Sequence, residues 1–449
     1  MCETINAEVS SGTINSLSDA IGYLRWTFYA RRVKLNPSYY GATEFISEID
    51  NKKRSLSDED IESFFLTIIH ETMDKLQEHN CVTVDKTEGT DCCVTATPLG
   101  QAASNFYLNH QTPKQMRNGA RDLRSILAQH APEIKFEDGL SKKQLLGDNE
   151  SVKRVQCIQN FVPEHAMYTF AVAKILFELS FTHEFNELPV RHNEEELNLE
   201  LSRSLPWGHD LSKVSWWSNK KNNSGKNLLD IMSDPHTKCF LLLQAFCFKG
   251  KLPISDYIND MRSVVDQIPR LLAAMQFIAL DDKTSAGSFY LFSCFPIVRR
   301  ILNCSFPTCS SVENRGSASN NAGIKFLNLK VKRELKKASQ FHTGFIDLDY
   351  EIDASEFKKM NRKKSSNGSK GGRSVSFILG TMTGGHLLYQ SSLTISESTQ
   401  GKVSKKLHMD FDLNSAEING GPSKDLVVLR VVHEFVSGKD YEMIISLKP

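Results

Sequence analysis

The chain carries almost no net charge: 54 lysines and arginines against 53 aspartates and glutamates leave +1 over 449 residues. A global pull on nucleic acid is therefore excluded, and any such binding has to come from a local patch. Long apolar runs are missing too. CFLLLQAFCF is the longest, far short of the ~20 residues of a membrane span, and the opening MCETINAEVS has no apolar core and so is no secretory signal. None of the 10 cysteines falls in a CxxC pair. Cys92 and Cys93 are adjacent, Cys304 and Cys309 lie apart from any histidine pair, and neither zinc spacing nor a disulfide framework is present. The thiols are expected to be reduced and mostly buried, in the cytoplasm, the nucleus or both. Catalytic motifs are equally scarce. Gly-Lys occurs at 225–226, 250–251, 401–402 and 438–439, never with the spacing and following Ser or Thr of a phosphate loop. There is no GxSxG or HExxH. His192 and His236 have no nucleophile or metal partner at useful spacing and read as structural histidines. No catalytic residue, metal ligand or cofactor is expected in this chain.

What is present is patterned apolarity. The hydrophobic fraction of 40% and charged fraction of 24% are those of a globular protein, and the length calls for roughly two to four domains. SLSDAIGYLRWTFYARRVKLNPSYYG predicts a helix capped at Ser18 and ended by Asn36-Pro37. SLSDEDIESFFLTIIHETMDKLQEHN predicts a second, capped at Ser57, with Ile61, Phe64, Phe65, Ile68 and Leu76 inward. Two β-prone runs, CVTVD and CCVTAT, and a short helix at PLGQAASNFYLN follow. Helices with a small hairpin suggest a winged helix.

From about 115 to 305 the pattern is almost wholly helical. NEEELNLELSRSLP reads as an acidic, exposed helix, whereas DPHTKCFLLLQAFCF is apolar nearly all round and is expected at the centre of its region. In LPISDYINDMRSVVDQIPRLLAAM, the residues Met261, Val264, Val265, Ile268, Leu271, Leu272 and Met275 form one apolar stripe. Arg262, Asp266 and Arg270 stand four apart on the other side, as either a salt-bridge ladder or a grip on a phosphate chain. SVENRGSASNNAG reads as a linker. Beyond about 341 the period becomes 2, in FIDLDYEID, SVSFILGT, HLLYQSSLTI, KLHMDFDL, DLVVLRVVHEF and YEMIISLK, which predicts an antiparallel sandwich. The turn KKMNRKKSSNGSKGGR carries seven basic residues and reads first as a solvated loop.

Several strings together resemble one family. NAEVSSGTI, DAIGYLRWTFYARR and NPSYYG resemble the winged-helix start of the large DExH helicases that carry a Sec-sixty-three homology unit. NELPVRHNEEELN, DPHTKCFLLLQAF and the stripe helix resemble successive pieces of that unit's helical domain. The likeness is specific over about 1–110 and 180–280. It is nearest to the branch of signal-cointegrator and ribosome-quality-control helicases, with the spliceosomal branch second. It implies a multidomain α+β chain: a winged helix over 1–112, an all-α ratchet-type domain over 113–310, a linker with a reduced helix-loop-helix over 311–340, and an immunoglobulin-like β-sandwich over 341–449.

In function, the resemblance implies a non-catalytic part of a helicase cassette. Its expected partners are single-stranded RNA or DNA, weakly held, the helicase motor domains, and subunits of a quality-control or splicing complex, with no membrane. ATP and Mg²⁺ belong to the motor domains of full-length relatives. The start of the chain falls where a second motor domain would end, so either a fragment or a truncated relative is implied. Arg262, Gln267 and Arg270 are the positions implied to face nucleic acid; Arg31 and Arg32 match a family Arg-Arg pair that either joins them or braces the motor. The alternative is a partner-binding platform with no grip on nucleic acid. Pro269 departs from the family's small residue. It is expected to kink the helix, at a cost of about 3 kcal/mol or more, and so to weaken or re-aim Arg270.

Overall fold

The computed structural model describes residues 1–45, 56–85, 92–129, 155–159, 166–207, 228–304, 324–335, 341–353, 373–382, 384–395, 401–414, 426–434 and 440–446. The basic turn after 357 lies outside them as far as residue 372, as does the linker at 311–323. The chain divides into two compact units. One holds Met1–Asn118, Thr182–Asn186 and Ala273–Asp281, and the other holds Gly119–Phe181, Glu187–Leu272 and Asp282–Pro449.

The first unit runs α1 (Cys2–Ser10), α2 (Leu17–Arg25), α3 (Phe28–Leu35), a 3₁₀ turn (Ala42–Phe45), α4 (Asp58–Glu78), β1 (Val82–Asp85), β2 (Cys93–Ala96) and α5 (Pro98–Asn105). The single helix expected over 18–36 is therefore two. Its cap is Ser16, whose Oγ accepts the Asp19 amide at 3.1 Å, not Ser18. The break falls at Trp26, and Thr27 starts α3 in an extended conformation.

α4 begins as expected. Ser57 Oγ accepts from the Asp60 amide at 3.1 Å and the Ser57 amide donates to Asp60 Oδ2 at 2.9 Å, a reciprocal capping box. Ile5, Val9, Leu24, Val33, Phe64, Phe65, Ile69 and Leu76 share one core with Val82 and Val94 of the antiparallel β1–β2 hairpin. Inside this core, Ile69 takes the fully buried place expected for Ile68. Gly100 lets α5 close on that hairpin, because a Cβ there would lie 2.0 Å from the Cys81 carbonyl oxygen. α6 (Thr112–Gln129) follows.

The helices of the second unit are α7 (Ala166–Ser180), α8 (Glu194–Arg203), α9 (Leu228–Met232), α10 (Pro235–Phe248) and α12 (Ser288–Cys304), together with α11 (Asp256–Ala279), whose last residues fall to the first unit. α10 is buried on almost every side, as its composition predicts. The six period-2 runs are strands β5 (Phe341–Asp353), β6 (Arg373–Thr381), β7 (Leu387–Ile395), β8 (Lys402–Asn414), β9 (Leu426–His433) and β10 (Tyr441–Ser446).

Two further strands correct the reading. β3 (Val155–Gln159) lies in the stretch expected to be helical and pairs antiparallel with β10, Gln159 opposite Tyr441. β4 (Ile324–Leu335) replaces the reduced helix-loop-helix and pairs with β5 from Ile324↔Ile352 to Leu335↔His342, across a bulge between Phe326 and Asn328. Lys, Arg, Glu and Leu favour a helix locally, but a long partner strand overrides that weak preference.

The sheets have orders β3-β10-β9-β6-β7 and β4-β5-β8. They enclose one core, in which Ile346, Leu348, Met409 and Phe411 of the smaller sheet meet Val375, Phe377, Leu429 and Val431 of the larger. α12 packs on β6 and β9. Gly380 and Gly385 leave the room for it, since Cβ atoms there would meet Phe289 at 2.4 Å and Tyr290 at 2.3 Å. Buried Arg300 donates to both oxygens of Asp440 (2.9 and 2.7 Å) and to the His433 carbonyl (3.1 Å), tying the same helix to the far end of β9.

Candidate nucleic-acid interface

α11 is a continuous helix of 24 residues that runs through Pro269 without ending. The kink expected at Pro269 does not end the helix. Pro269 is exposed, on the side where the carbonyl one turn back can turn to water, which removes part of the cost of the missing N–H. Val264, Ile268, Leu271, Leu272 and Met275 of the apolar stripe are fully buried, with Met261 and Val265 at its half-buried edges.

The polar side behaves unevenly. Arg262 and Asp266 are exposed, while Gln267 and Arg270 are half-buried and joined, Arg270 Nη2 donating to Gln267 Oε1 at 3.0 Å. Among the described residues neither arginine forms an ion pair with Asp266, so the ladder is not made, and Arg262 has no polar partner. Arg31 and Arg32, in the first unit, are exposed on α3. Arg32 stands 6.0 Å over the Phe28 ring, and Arg31 lines a cleft of about 420 Å³ with Arg25, Ala30, Lys34, Asp58 and Ile61.

What the sequence reading missed lies under the start of α11. Lys238, fully buried on α10, donates to Pro189 O (2.6 Å), Glu194 Oε2 (2.6 Å) and Asp260 Oδ2 (2.7 Å), and its ammonium lies 4.7 Å over the Tyr257 ring. Arg191 donates to Glu194 Oε1 and Asp260 Oδ2 at 2.7 Å each, and to Asp260 Oδ1 at 3.2 Å. Tyr257 Oη donates to Asn198 Oδ1 at 2.7 Å, and Asn198 Nδ2 to the Met232 carbonyl at 2.8 Å. Two cations thus bridge the Glu194 and Asp260 carboxylates, and Arg191 Nε also lies 3.9 Å from Asp256 Oδ2 at the exposed edge. Burial pushes the Glu194 and Asp260 carboxyls up, but the hydrogen bonds from Lys238 and Arg191 outweigh it and hold both below the usual carboxylate range. Burial pushes the Tyr257 phenol up.

α8 is accordingly not the exposed acidic helix expected, because Glu194 and Asn198 face inward. The signal was available: a lone lysine in a helix apolar nearly all round cannot be buried without partners. The three strings that carry the family resemblance are the ones that supply this network.

The histidines divide. His236 is buried, stacked on Phe181 at 5.1 Å, with Nδ1 2.9 Å from the Ser180 carbonyl, and is structural as expected. His192 is exposed and has no partner among the described residues, so it is not a satisfied core histidine. Cys81, Cys239, Cys247 and Cys294 are buried free thiols, and burial pushes Cys247 and Cys294 up to about 12. Among the described residues no group of three His, Cys, Asp or Glu side chains is placed to hold a metal, and no helix is long and apolar enough to cross a membrane.

A hairpin-bearing helical unit, followed by helices and a strand pair of sheets, defines a winged helix joined to a helical-and-β module. Residues 1–86 match the winged helix-turn-helix domain of the SNRNP200 type. Residues 154–436 match the Sec63 Brl domain, and the chain belongs to that family. Its relatives are DExH helicases and their complexes. It is 29% identical over 279 residues to activating signal cointegrator 1 complex subunit 3 of Mus musculus, covering 62% of this chain and 9% of that protein. It is 30% identical over 286 residues to the RQC trigger complex helicase SLH1 of Saccharomyces cerevisiae, covering 64% and 11%. It is 30% identical over 270 residues to the DExH-box ATP-dependent RNA helicase DExH14 of Arabidopsis thaliana, covering 60% and 9%. The matched region thus spans about a tenth of the length of these relatives.

Proposed function

We propose that this chain is a non-catalytic part of a DExH helicase cassette, guiding single-stranded RNA or DNA along α11 and docking partner proteins. The observation that carries the reading is a helix whose base is fixed by the Lys238 network while Arg262, a turn or less beyond it, stands exposed and unpaired among the described residues. Guanidinium groups hold phosphates by charge-assisted bonds, and a helix repeats them at about 6 Å per four residues. Gln267 and Arg270 act as a bonded pair beside it, and Arg31 and Arg32 add to the basic surface of the winged helix. ATP and Mg²⁺ belong to the motor domains with which such a cassette works, in cytoplasmic or nuclear complexes of the ribosome-quality-control or splicing kind. The strand orders, with β4-β5-β8 facing β10-β9-β6-β7 over one core, support an immunoglobulin-like reading of the sheets.

A second reading has its own support. The outer side of α11 also presents Ile258 and Pro269, and Arg270 is already engaged by Gln267, which favours a partner-binding platform without a nucleic-acid grip. Fluorescence anisotropy of the whole chain with a labelled oligouridylate 20-mer, titrated with salt, separates the two. The first reading expects affinity to fall as salt rises, with a slope of about −0.7 per phosphate contact. It also expects Arg262→Ala with Arg270→Ala to weaken binding. No binding at low salt removes the first reading and favours the platform.

A further inference from the structure

The α2–α3 corner and the stretch that follows it carry large apolar side chains in the open. Trp26 is 92% exposed, Phe28 68%, Leu35 78% and Tyr39 79%. Large apolar side chains this exposed are open to a partner. Residues 20–43 contain Arg25, Arg31, Arg32 and Lys34 and no acidic residue, and the acidic groups that face them, Asp58 and Glu62, come from α4. The Arg31 cleft opens on the same segment.

Two of the four cations are already engaged, Arg25 with Glu62 and Lys34 with Asp58 (2.9 Å), both in exposed pairs that cost little to exchange. Arg31 has no ion-pair partner among the described residues, and Arg32 contacts the Phe28 ring. A ring as exposed as Trp26 offers a whole face to a flat partner.

We infer that the α2–α3 corner is a second single-strand contact, a stacking platform of Trp26, Phe28 and Tyr39 edged by Arg31 and Arg32. The inference rests on the proposed single-strand role and adds a site to it. Bases stack on exposed aromatic faces regardless of sequence, while arginines follow the phosphates.

The test uses the whole chain, the same labelled oligouridylate and a salt series. Trp26→Ala with Phe28→Ala should weaken binding at least fivefold, with the salt slope and melting temperature unchanged, since stacking is lost and nothing buried is removed. Arg31→Gln with Arg32→Gln should flatten the slope by about 1.4. Wild-type affinity and slope in both variants overturn the inference. If Arg262→Ala with Arg270→Ala still weakens binding in that case, the α11 reading stands without the corner. Loss in the corner variants with none in the α11 variant keeps the platform and removes α11. An unmodified chain that does not bind overturns both.

Discussion

The first turns of α11 and the line just beyond them use the same chemistry to opposite ends. Tyr257 and Asp260 sit in a buried network with Lys238 and Glu194, closed at the surface by the exposed Arg191, in which all three ammonium protons of the lysine are accepted by oxygens. Arg262 and Asp266, within two turns, are exposed and do not pair with each other. Depth decides the difference. In the interior an unpaired charge is very costly, so the buried groups must satisfy one another completely. At the surface water satisfies them, and their pairing is worth little. Charges under the helix therefore hold it in place, and charges on it are free for whatever it meets.

The largest test of that contrast is Lys238→Met. Removing one partner of a buried network should cost about 3–5 kcal/mol, read as a lower urea midpoint with the slope unchanged. The acid limb identifies the cause. Glu194 and Asp260 are held below their usual range, so their contribution is complete above the unfolded carboxylate range near 4 and is lost as the pH falls through the lowered folded values. The gap between Lys238→Met and the unmodified protein should thus be widest at neutral pH and close in acid. A gap independent of pH would mean that the low Glu194 and Asp260 values do not depend on the lysine's charge.

Next in size is Pro269→Ala. The exchange restores a helical hydrogen bond at an exposed position and should stabilise the protein by about 1–3 kcal/mol, less than a full proline penalty because the helix already tolerates the ring. If stability falls instead, the proline is required for the path of α11, and the fixed base is not enough to set the helix.

The contrast also explains what could be read from residue order. The cap at Ser57, the burial of α10 and the six strands follow from local signals and are present, although β9 is buried on both faces and does not alternate. β3 was not legible, because VQCIQ is short and finds its partner only at the far end of the chain, in β10. β4 was masked by helix-favouring lysines and arginines, and the division of α2 from α3 by a turn without Gly or Pro at Trp26-Thr27. Of the site, Arg262 was placed correctly on an outer face, but the ladder through Asp266 was not, since spacing permits a pair without making it favourable. The Lys238 network joins three separate segments, and only the oddity of a charge inside an apolar helix announced it.

The smallest expected effect bears on Asp266 itself. Because it is exposed and forms no ion pair with Arg262 or Arg270, Asp266→Asn should leave stability unchanged to within about 0.5 kcal/mol. Binding should respond differently. A carboxylate one turn from each arginine lowers the local potential that a phosphate chain meets, and at about 6 Å in water that interaction is a few tenths of a kcal/mol after screening. Its removal should tighten the oligouridylate complex about two- to threefold at low salt, with the gain disappearing as ionic strength rises. A partner-binding platform predicts no such gain. An unchanged affinity would therefore take the exposed line of α11 out of contact with phosphate, while the buried network beneath it kept its role.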